Sequence, residues 1–208
     1  MRFPSSIVYS LLHDALVLFA MINAVGNLPV FADLTADMDR NTKWRTYNRA
    51  VLTAGSIVVV FAFFGNWMLQ WFFQVDVGAF KVAGGILVFF TAARGMVLGS
   101  SRATLPPQFL QNDVGVFPMG FPFLAGPGTI VTTILLMQTG GAWITATAAV
   151  LVYASILPIL YLTSIINRAK GQLAVLVASR ILYIFICAKA VSFILAGLRS
   201  SLALPPDI

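Results

Sequence analysis

Two short stretches of this sequence combine glycine, proline and small polar residues inside long apolar runs. The first is Asn23-Ala-Val-Gly26-Asn27-Leu-Pro29, and the second is Phe121-Pro-Phe-Leu-Ala-Gly126-Pro-Gly-Thr129. Proline lacks an amide donor and glycine adds chain entropy, so neither stretch favours an uninterrupted helix. In hydrocarbon, each backbone group left unpaired by a break is costly unless protein, water or ligand satisfies it. The two stretches are therefore the strongest candidates for a binding site.

The chemistry predicted at these stretches is that of helix ends. Beyond each break we expect a short half-helix, which starts near Val30 in one case and near Thr129 in the other. Its first amides are unpaired and carry the positive end of the helix dipole, which suits a carboxylate. Carbonyl groups at the end of the preceding half-helix suit an ammonium. Because neither stretch contains a charged residue, the pattern predicts a small zwitterion as the ligand.

Eight residues of the two breaks are predicted to bind the substrate: Asn23, Gly26, Asn27, Pro29, Gly126, Pro127, Gly128 and Thr129. The glycines admit close approach to the backbone, and the asparagine and threonine side chains offer hydrogen bonds. Glycine and proline also mark kinks and close packing in membrane helices, so it is the matched pair of breaks that favours a site.

Three ionisable residues lie within the apolar runs and are candidates for an ion or proton path: Asp14, Arg94 and Lys189. Charged side chains at membrane depth are costly and are functional suspects for that reason. The alternatives are a position near the membrane surface or a structural ion pair. Asp33 and Lys81, near segment ends, are expected at the interface.

Composition identifies the class of protein. Hydrophobic residues make up 59% of the chain, charged residues make up 10%, and the mean hydropathy is +0.91, which excludes an ordinary soluble domain. The formal charge of +6 does not indicate nucleic acid, since the basic residues are spread between apolar segments, as in membrane-protein loops. One cysteine and one histidine cannot build a disulfide framework or a metal cluster, so we expect no metal and no cofactor.

Six apolar segments of roughly 20 residues each have the length needed to cross a bilayer. They run over about 6–34, 50–73, 77–98, 114–137, 142–166 and a last stretch that ends near Arg199. Pro158 predicts a kink in the fifth, and the start of the last, up to about Arg180, is left open as an interfacial segment. The loops after segments one, three and five carry lysine and arginine, whereas those after two and four carry none. The positive-inside rule predicts a multi-pass protein of the plasma (inner) membrane with both termini outside the cytoplasm.

The sequence also indicates an internal repeat. The stretch from Gly85 to Arg94 can be laid over the stretch from Arg180 to Lys189 with coincident isoleucine, leucine, phenylalanine and alanine positions. Three segments per half require the halves to be oppositely oriented. The predicted fold is therefore an all-α integral membrane protein with a single domain over 1–208. Its six transmembrane helices form a 3+3 inverted repeat, about 6–99 and 114–199, in which helices 1 and 4 are broken. Secondary transporters with a midplane substrate site are built in this way.

These motifs resemble those of the MarC family of six-span inner-membrane proteins. The first break resembles the family's first signature, and Leu124-Ala-Gly126-Pro-Gly-Thr-Ile130, preceded by Pro122, is similar to its second. Ala83-Gly-Gly-Ile86 is similar to its third-helix stretch, whereas Ala24 stands where the family usually has proline. The resemblance implies a transporter of small neutral amino acids such as glycine and alanine, not an enzyme. The expected coupling ion is H+, with Na+ as the alternative.

Other classes fit the residues less well. The chain has neither the Gly-x-Ser-Gly nor the Gly-x-Gly-Asp motif of an intramembrane protease, and it has no carboxylate cluster for a metal-dependent lipid transferase. A channel would require pore-lining repeats. An exporter of amino acids or other metabolites, like the LysE-type six-span exporters, stays open because uptake and export use the same site chemistry. The oligomeric state, including a homo-oligomer, is also left open.

Overall fold

The computed structural model describes residues 4–98, 113–165 and 168–202, and every regular element in these ranges is helical. The α-helices are α1 (Pro4–Ile22), α2 (Ala24–Leu34), α3 (Arg40–Trp67), α4 (Val77–Leu98), α5 (Pro127–Gly140), α6 (Ala142–Ile165) and α7 (Arg168–Leu202). A wide turn of π-helix, Met68–Phe72, extends α3. The segment Gly115–Leu124, called here the proline-rich segment, precedes α5. The all-helical prediction is thus confirmed for the described residues.

Five of the described helices are long and apolar enough to cross a membrane. They are Ile7–Leu28, Arg40–Phe72, Val77–Val97, Ala142–Leu162 and Arg180–Leu202. The proline-rich segment and α5 make a sixth candidate if the two are counted as one span, although they are bent by 56° relative to each other. Five or six candidate spans agree with the six apolar segments of the sequence.

The junction between α1 and α2 is a single residue, Asn23, whose φ of 49° lies in the left-handed region. Its Oδ1 accepts a hydrogen bond of 3.2 Å from the amide of Gly26, which caps the first turn of α2. Asparagine tolerates this backbone conformation better than most residues. The predicted break over 23–29 and the predicted half-helix start near Val30 are therefore wrong, because the chain turns at one residue and the helix restarts at Ala24.

The second junction is longer. Phe117 and Phe121 have extended backbone conformations inside the proline-rich segment, and each precedes a proline through a cis peptide bond. Gly126 is also extended, with φ −75° and ψ 171°, and α5 then begins at Pro127. Proline suits the first position of a helix because it needs no amide donor there. The predicted start near Thr129 is thus moved by one turn or less.

Two other boundaries differ from the sequence prediction. The basic stretch before segment two was expected as a loop, but α3 begins at Arg40 because Asp39 accepts hydrogen bonds from the amides of Asn41 (3.0 Å) and Thr42 (3.3 Å). The hydrogen bonds from Thr42 hold the pKa of Asp39 below its usual value. The last apolar segment of the sequence forms one continuous helix, α7, which begins at Arg168. Pro158, where the sequence predicts a kink, lies inside α6, which is a single helix from Ala142 to Ile165. Of the predicted linker at 99–113, only Asp113 lies within the described residues.

α4 and α7 pack against each other in antiparallel orientation along a row of glycines. A Cβ added to Gly85 would lie 2.8 Å from the Ala190 carbonyl oxygen, and one added to Gly197 would lie 2.5 Å from that of Gly78. At one end of this seam Gly95 packs on the ring of Tyr183. Close backbone approach through small residues is the usual basis of helix association in membranes.

Two apolar clusters hold the remaining helices together. The larger one joins α1, α2, α3, the proline-rich segment, α5 and α6, with fully buried members that include Leu18, Phe31, Ala54, Met119 and Ile156. The smaller one joins α1 and α5 to the α4–α7 pair: Met21, Val88, Ala92, Val131, Tyr183, Ile186, Ala190 and Phe193. α1 and α5 contribute to both clusters, and the residues that flank the two breaks, Ile22, Ala24, Leu124 and Ala125, belong to the larger one.

Candidate functional site

The structure brings the two breaks into direct contact. The side-chain amide of Asn27, in α2, donates a hydrogen bond of 3.3 Å to the carbonyl oxygen of Phe123, at the end of the proline-rich segment. A longer contact of 3.5 Å joins the same nitrogen to the carbonyl of Ile22, the last residue of α1. The rings of Phe31 and Phe123 meet edge to face at 6.0 Å. Asn27 thus satisfies carbonyl groups that both breaks release from helical pairing.

A tyrosine from α6 satisfies a second carbonyl of the proline-rich segment. The Tyr153 hydroxyl donates a hydrogen bond of 2.9 Å to the Leu124 oxygen, and both residues are buried. Sequence reasoning missed Tyr153 because nothing in an apolar segment shows which distant backbone group its hydroxyl reaches. The sequence does indicate that Tyr153 needs a hydrogen-bond partner, because a tyrosine hydroxyl buried in the middle of a membrane helix usually has one.

The N-termini of the two half-helices differ in how they are capped. At α2 the side chain of Asn23 accepts from the amide of Gly26. At α5 the equivalent position is Gly126, which offers no side chain to the amides of Gly128 and Thr129. The first intrahelical bond there joins the amide of Ile130 to the Gly126 oxygen at 3.1 Å. Of the two termini, α5 therefore keeps more of its capacity to bind an anion.

The three glycines of the predicted site lie against different neighbours. A Cβ on Gly26 would lie 2.4 Å from the Asn23 side chain, and one on Gly126 would lie 2.6 Å from the Pro122 oxygen. Gly126 is therefore required by the backbone packing, whereas a Cβ at Gly26 would displace the Asn23 side chain that caps α2. A Cβ on Gly128 would lie 2.9 Å from Val88 and 3.2 Å from the terminal methyl of Met21. In this state the approach to Gly128 is covered by these two apolar side chains.

Three threonines form a buried polar group on α5. Thr129 is 2% exposed, and its carbonyl accepts a hydrogen bond of 2.7 Å from the Thr133 hydroxyl. Thr132 is 1% exposed, and its hydroxyl oxygen has no hydrogen-bond partner among the described residues. Sequence reasoning included Thr129 but missed Thr132, although threonines at i, i+3 and i+4 in an apolar helix mark one polar face. A buried, unpaired hydroxyl is rare enough in proteins to require an explanation.

The two prolines of the predicted site have different positions. Pro127 is the first residue of α5, directly after the bend. The backbone of Pro29 lies inside α2, well past the break at Asn23, and its side chain lies outside the described part of the structure. The structure therefore gathers the other seven predicted residues around the two breaks, and Pro29 follows one of them in the chain.

The three candidates for an ion path lie apart from the breaks and from each other. Asp14 is buried on α1, about 13 Å along the helix axis from Asn23 at 1.5 Å per residue. Arg94 is exposed on α4. Lys189 is exposed on α7, with its ammonium 5.4 Å from the centre of the Phe193 ring. Among the described residues, no three histidine, cysteine or acidic side chains lie close enough together to hold a metal ion.

Comparison with known proteins gives a consistent result. Residues 8–202 match the sequence profile described as MarC family integral membrane protein. A UPF0056 membrane protein of Methanocaldococcus jannaschii is 30% identical over 195 residues, which cover 89% of this chain and 94% of the relative. The UPF0056 membrane protein YvbG of Bacillus subtilis is 27% identical over 200 residues, covering 91% and 94%. No solved structure matches the chain significantly.

The hydrogen bond from Tyr153 to Leu124 yields a testable prediction. Tyr153→Phe leaves the Leu124 oxygen without its donor in a buried position, which should lower the free energy of unfolding by about 1–3 kcal/mol. Thermal unfolding of the detergent-solubilised protein measures this. Tyr9→Phe, at a side chain that is 72% exposed, is the matched control and should leave the melting temperature unchanged. Equal melting temperatures for the two variants would contradict the assigned role.

Proposed function

The chain belongs to the MarC family of integral membrane proteins, and on that basis we propose that it carries small neutral amino acids, such as glycine and alanine, across the plasma membrane. The substrate is bound between the two helix breaks, and transport is driven by an ion gradient. The coupling ion in this proposal is H+, with Na+ as the alternative. The protein acts as a carrier and not as an enzyme.

Helix contacts support the 3+3 inverted repeat that the proposal requires. If the halves are exchanged, α1 with α2 corresponds to the proline-rich segment with α5, α3 corresponds to α6, and α4 corresponds to α7. The contact between α1 and α6 then corresponds to the contact between the proline-rich segment and α3. In the same way, the contact between α2 and α7 corresponds to the contact between α5 and α4. The pairs α3 with α6 and α4 with α7 exchange with themselves, whereas the contact of α5 with α6 has no counterpart of similar extent between the described residues of α2 and α3. Such a pattern is expected of two repeats related by a twofold axis.

The observation that carries the proposal is the state of the α5 N-terminus. Its cap residue, Gly126, has no side chain, and the buried hydroxyl of Thr132 on the same helix has no hydrogen-bond partner in the part of the chain that the structure describes. In a helix, side chains lean toward the N-terminus, so the Thr132 hydroxyl lies over the turn that contains Gly128. Two backbone amides and one hydroxyl suit a carboxylate, because the dipole supplies positive potential without a formal charge.

The amino group of the substrate fits the carbonyl side of the same breaks. The oxygens of Ile22, Phe123 and Leu124 each accept one hydrogen bond from protein, and a carbonyl oxygen has two lone pairs. An ammonium can therefore use the second lone pair of any of them. The residues at these contacts include no charged side chain, so lysine or glutamate side chains would find no counter-ion there.

The proposed orientation puts both termini outside the cytoplasm. Arg49 on α3 pairs with Asp113, and Arg40 donates to the Tyr161 hydroxyl near the end of α6, so the start of α3, the start of the proline-rich segment and the end of α6 lie on one side. That side carries the basic residues of the first loop, which favours the cytoplasm. A reporter that is active only in the cytoplasm, fused after Ile208, should give no signal, and a strong signal would reverse the orientation.

Uptake in vesicles tests the proposed substrate. Proteoliposomes with a proton gradient should accumulate labelled glycine, and protein-free vesicles should not. Unlabelled alanine and serine should compete, because their side chains are small and neutral. Lysine and glutamate should compete poorly because the site lacks a compensating charge. Competition by lysine or glutamate as strong as that by alanine would exclude a site made only of dipoles and amides.

Thr132→Val separates a substrate contact from a packing role. Loss of one hydroxyl contact of about 0.5–1.5 kcal/mol should weaken glycine binding roughly threefold to tenfold. The melting temperature should stay the same or rise, because the variant removes an unpaired buried hydroxyl. Thr133→Val is the matched control, since that hydroxyl donates to the Thr129 carbonyl within α5. If the two variants transport glycine with equal apparent affinity, Thr132 does not contact the substrate.

A further inference from the structure

Asp14 is the only acidic or basic residue that is buried among the side chains the structure describes. Its Oδ2 accepts a hydrogen bond of 2.9 Å from the Thr145 hydroxyl in the first turn of α6. Its Oδ1 lies 3.3 Å from Nδ1 of His13, a side chain that is 53% exposed. A buried carboxylate in a membrane protein is costly, so its presence in the first span requires an explanation.

The position of Asp14 links three helices at one end of the molecule. Besides the bond to α6, a Cβ added to Gly140, the last residue of α5, would lie 3.1 Å from Asp14 Oδ2. Gly141 then turns the chain into α6 with a φ of 90°. The amide end of α6 favours the negative carboxylate, so the ionised form of Asp14 holds α1 against the α5–α6 turn.

Few titratable groups approach Asp14 from neighbouring helices. Those with described side chains on the helices packed against α1 are Tyr153 and Tyr161 on α6, and Arg180, Tyr183, Cys187, Lys189 and Arg199 on α7. α5 carries none. Arg180 donates to a carbonyl of α4, and Lys189 lies over the Phe193 ring. Within the described residues, His13 is thus the one titratable group with a hydrogen-bond contact to Asp14.

The same helix that carries Asp14 also covers the proposed substrate site. Met21 lies two turns after Asp14 on α1. Its terminal methyl group covers Gly128, since a Cβ added to Gly128 would lie 3.2 Å from that methyl. A displacement of α1 from the α5–α6 turn therefore also moves Met21 away from the α5 N-terminus. The carboxylate contact near the middle of α1 and the cover over Gly128 at its C-terminal end are parts of one helix.

We propose that Asp14 is a proton-binding site, reached through His13, and that its protonation releases α1 from the α5–α6 turn. A proton on Nδ1 of His13 passes to Oδ1 of Asp14, leaving a neutral imidazole and a neutral carboxylic acid. The acid no longer carries the charge that the α6 N-terminus stabilises, and its hydrogen bond from Thr145 weakens. This inference rests on the proposed transport function, because it assigns the site that couples substrate movement to the proton gradient.

Asp14→Asn tests the inference because asparagine is close to aspartic acid in shape and cannot ionise. Two assays are run on the same proteoliposomes: exchange of external labelled glycine for internal glycine without a gradient, and accumulation driven by a pH gradient. The variant should keep exchange and lose gradient-driven accumulation. Asp76→Asn, at an exposed aspartate that caps α4 through the Gly78 amide, is the matched control and should keep both activities.

Two further variants distinguish a proton site from a structural carboxylate. Thr145→Val removes the hydroxyl that donates to Asp14, so the pH profile of accumulation should differ from that of the wild type, while exchange without a gradient should persist. His13→Gln should slow gradient-driven accumulation and leave exchange intact. Accumulation that persists in Asp14→Asn, or loss of exchange in a variant with a normal melting temperature, overturns the proposal.

A measurement without substrate keeps this inference separate from the proposed function. Hydrogen–deuterium exchange over residues 137–146, corrected for the intrinsic effect of pH, reports opening of the α5–α6 turn. The wild type should exchange faster at low pH than at neutral pH, and Asp14→Asn should exchange fast at both. If glycine is not transported but this pattern holds, the substrate is wrong and the proton site stands. If hydrogen–deuterium exchange depends on pH in the same way in the wild type and in Asp14→Asn, the proposed proton site is wrong.

Discussion

The need to satisfy backbone polar groups where helices are interrupted governs this structure. A membrane helix that stops and restarts releases amides and carbonyls that lipid cannot hydrogen-bond. Asn23 accepts from an amide of α2, Asn27 donates to the Phe123 carbonyl, and Tyr153 donates to the Leu124 carbonyl. These side chains come from three places in the chain, so the breaks are stable only when α2, the proline-rich segment and α6 are packed together.

The N-terminus of α5 is an exception, because no side chain of its cap residue satisfies the first backbone amides. The α5 N-terminus has glycine where α2 has asparagine, and it is followed by Thr132, whose buried hydroxyl finds no hydrogen-bond partner within residues 4–98, 113–165 and 168–202. Uncapped amides and an unpaired hydroxyl cost stability, and such costs are retained most often where a site uses them. The asymmetry between the two junctions thus separates a structural break, closed by its own side chain, from a break whose helix N-terminus has no side-chain cap.

The sequence predicted the helical class and the candidate membrane spans, because these follow from local composition, and Gly126 and Pro127 indicated the bend before α5. It misplaced the start of α2, since one left-handed asparagine is enough to restart a helix. The stretch from Arg40 was predicted as a loop because it is rich in basic residues. The structure instead begins α3 there, because the Asp39 side chain caps the helix. The contacts of Asn27 with Phe123 and of Asp14 with Thr145 could not be predicted, because they depend on the register between distant helices.

The glycine seam between α4 and α7 has a consequence for water and protons. In its middle, around Gly85, backbone faces backbone so closely that a water molecule has no room, and the side chain that packs there is Ile194. Any carrier must let water reach its site from one side at a time, and a hydrated defect elsewhere would short-circuit the proton gradient. Under the proposed transport function, the middle of this contact insulates one flank of the protein, because close backbone packing there excludes water. The seam therefore contributes to the electrical tightness of the membrane as well as to the stability of the fold.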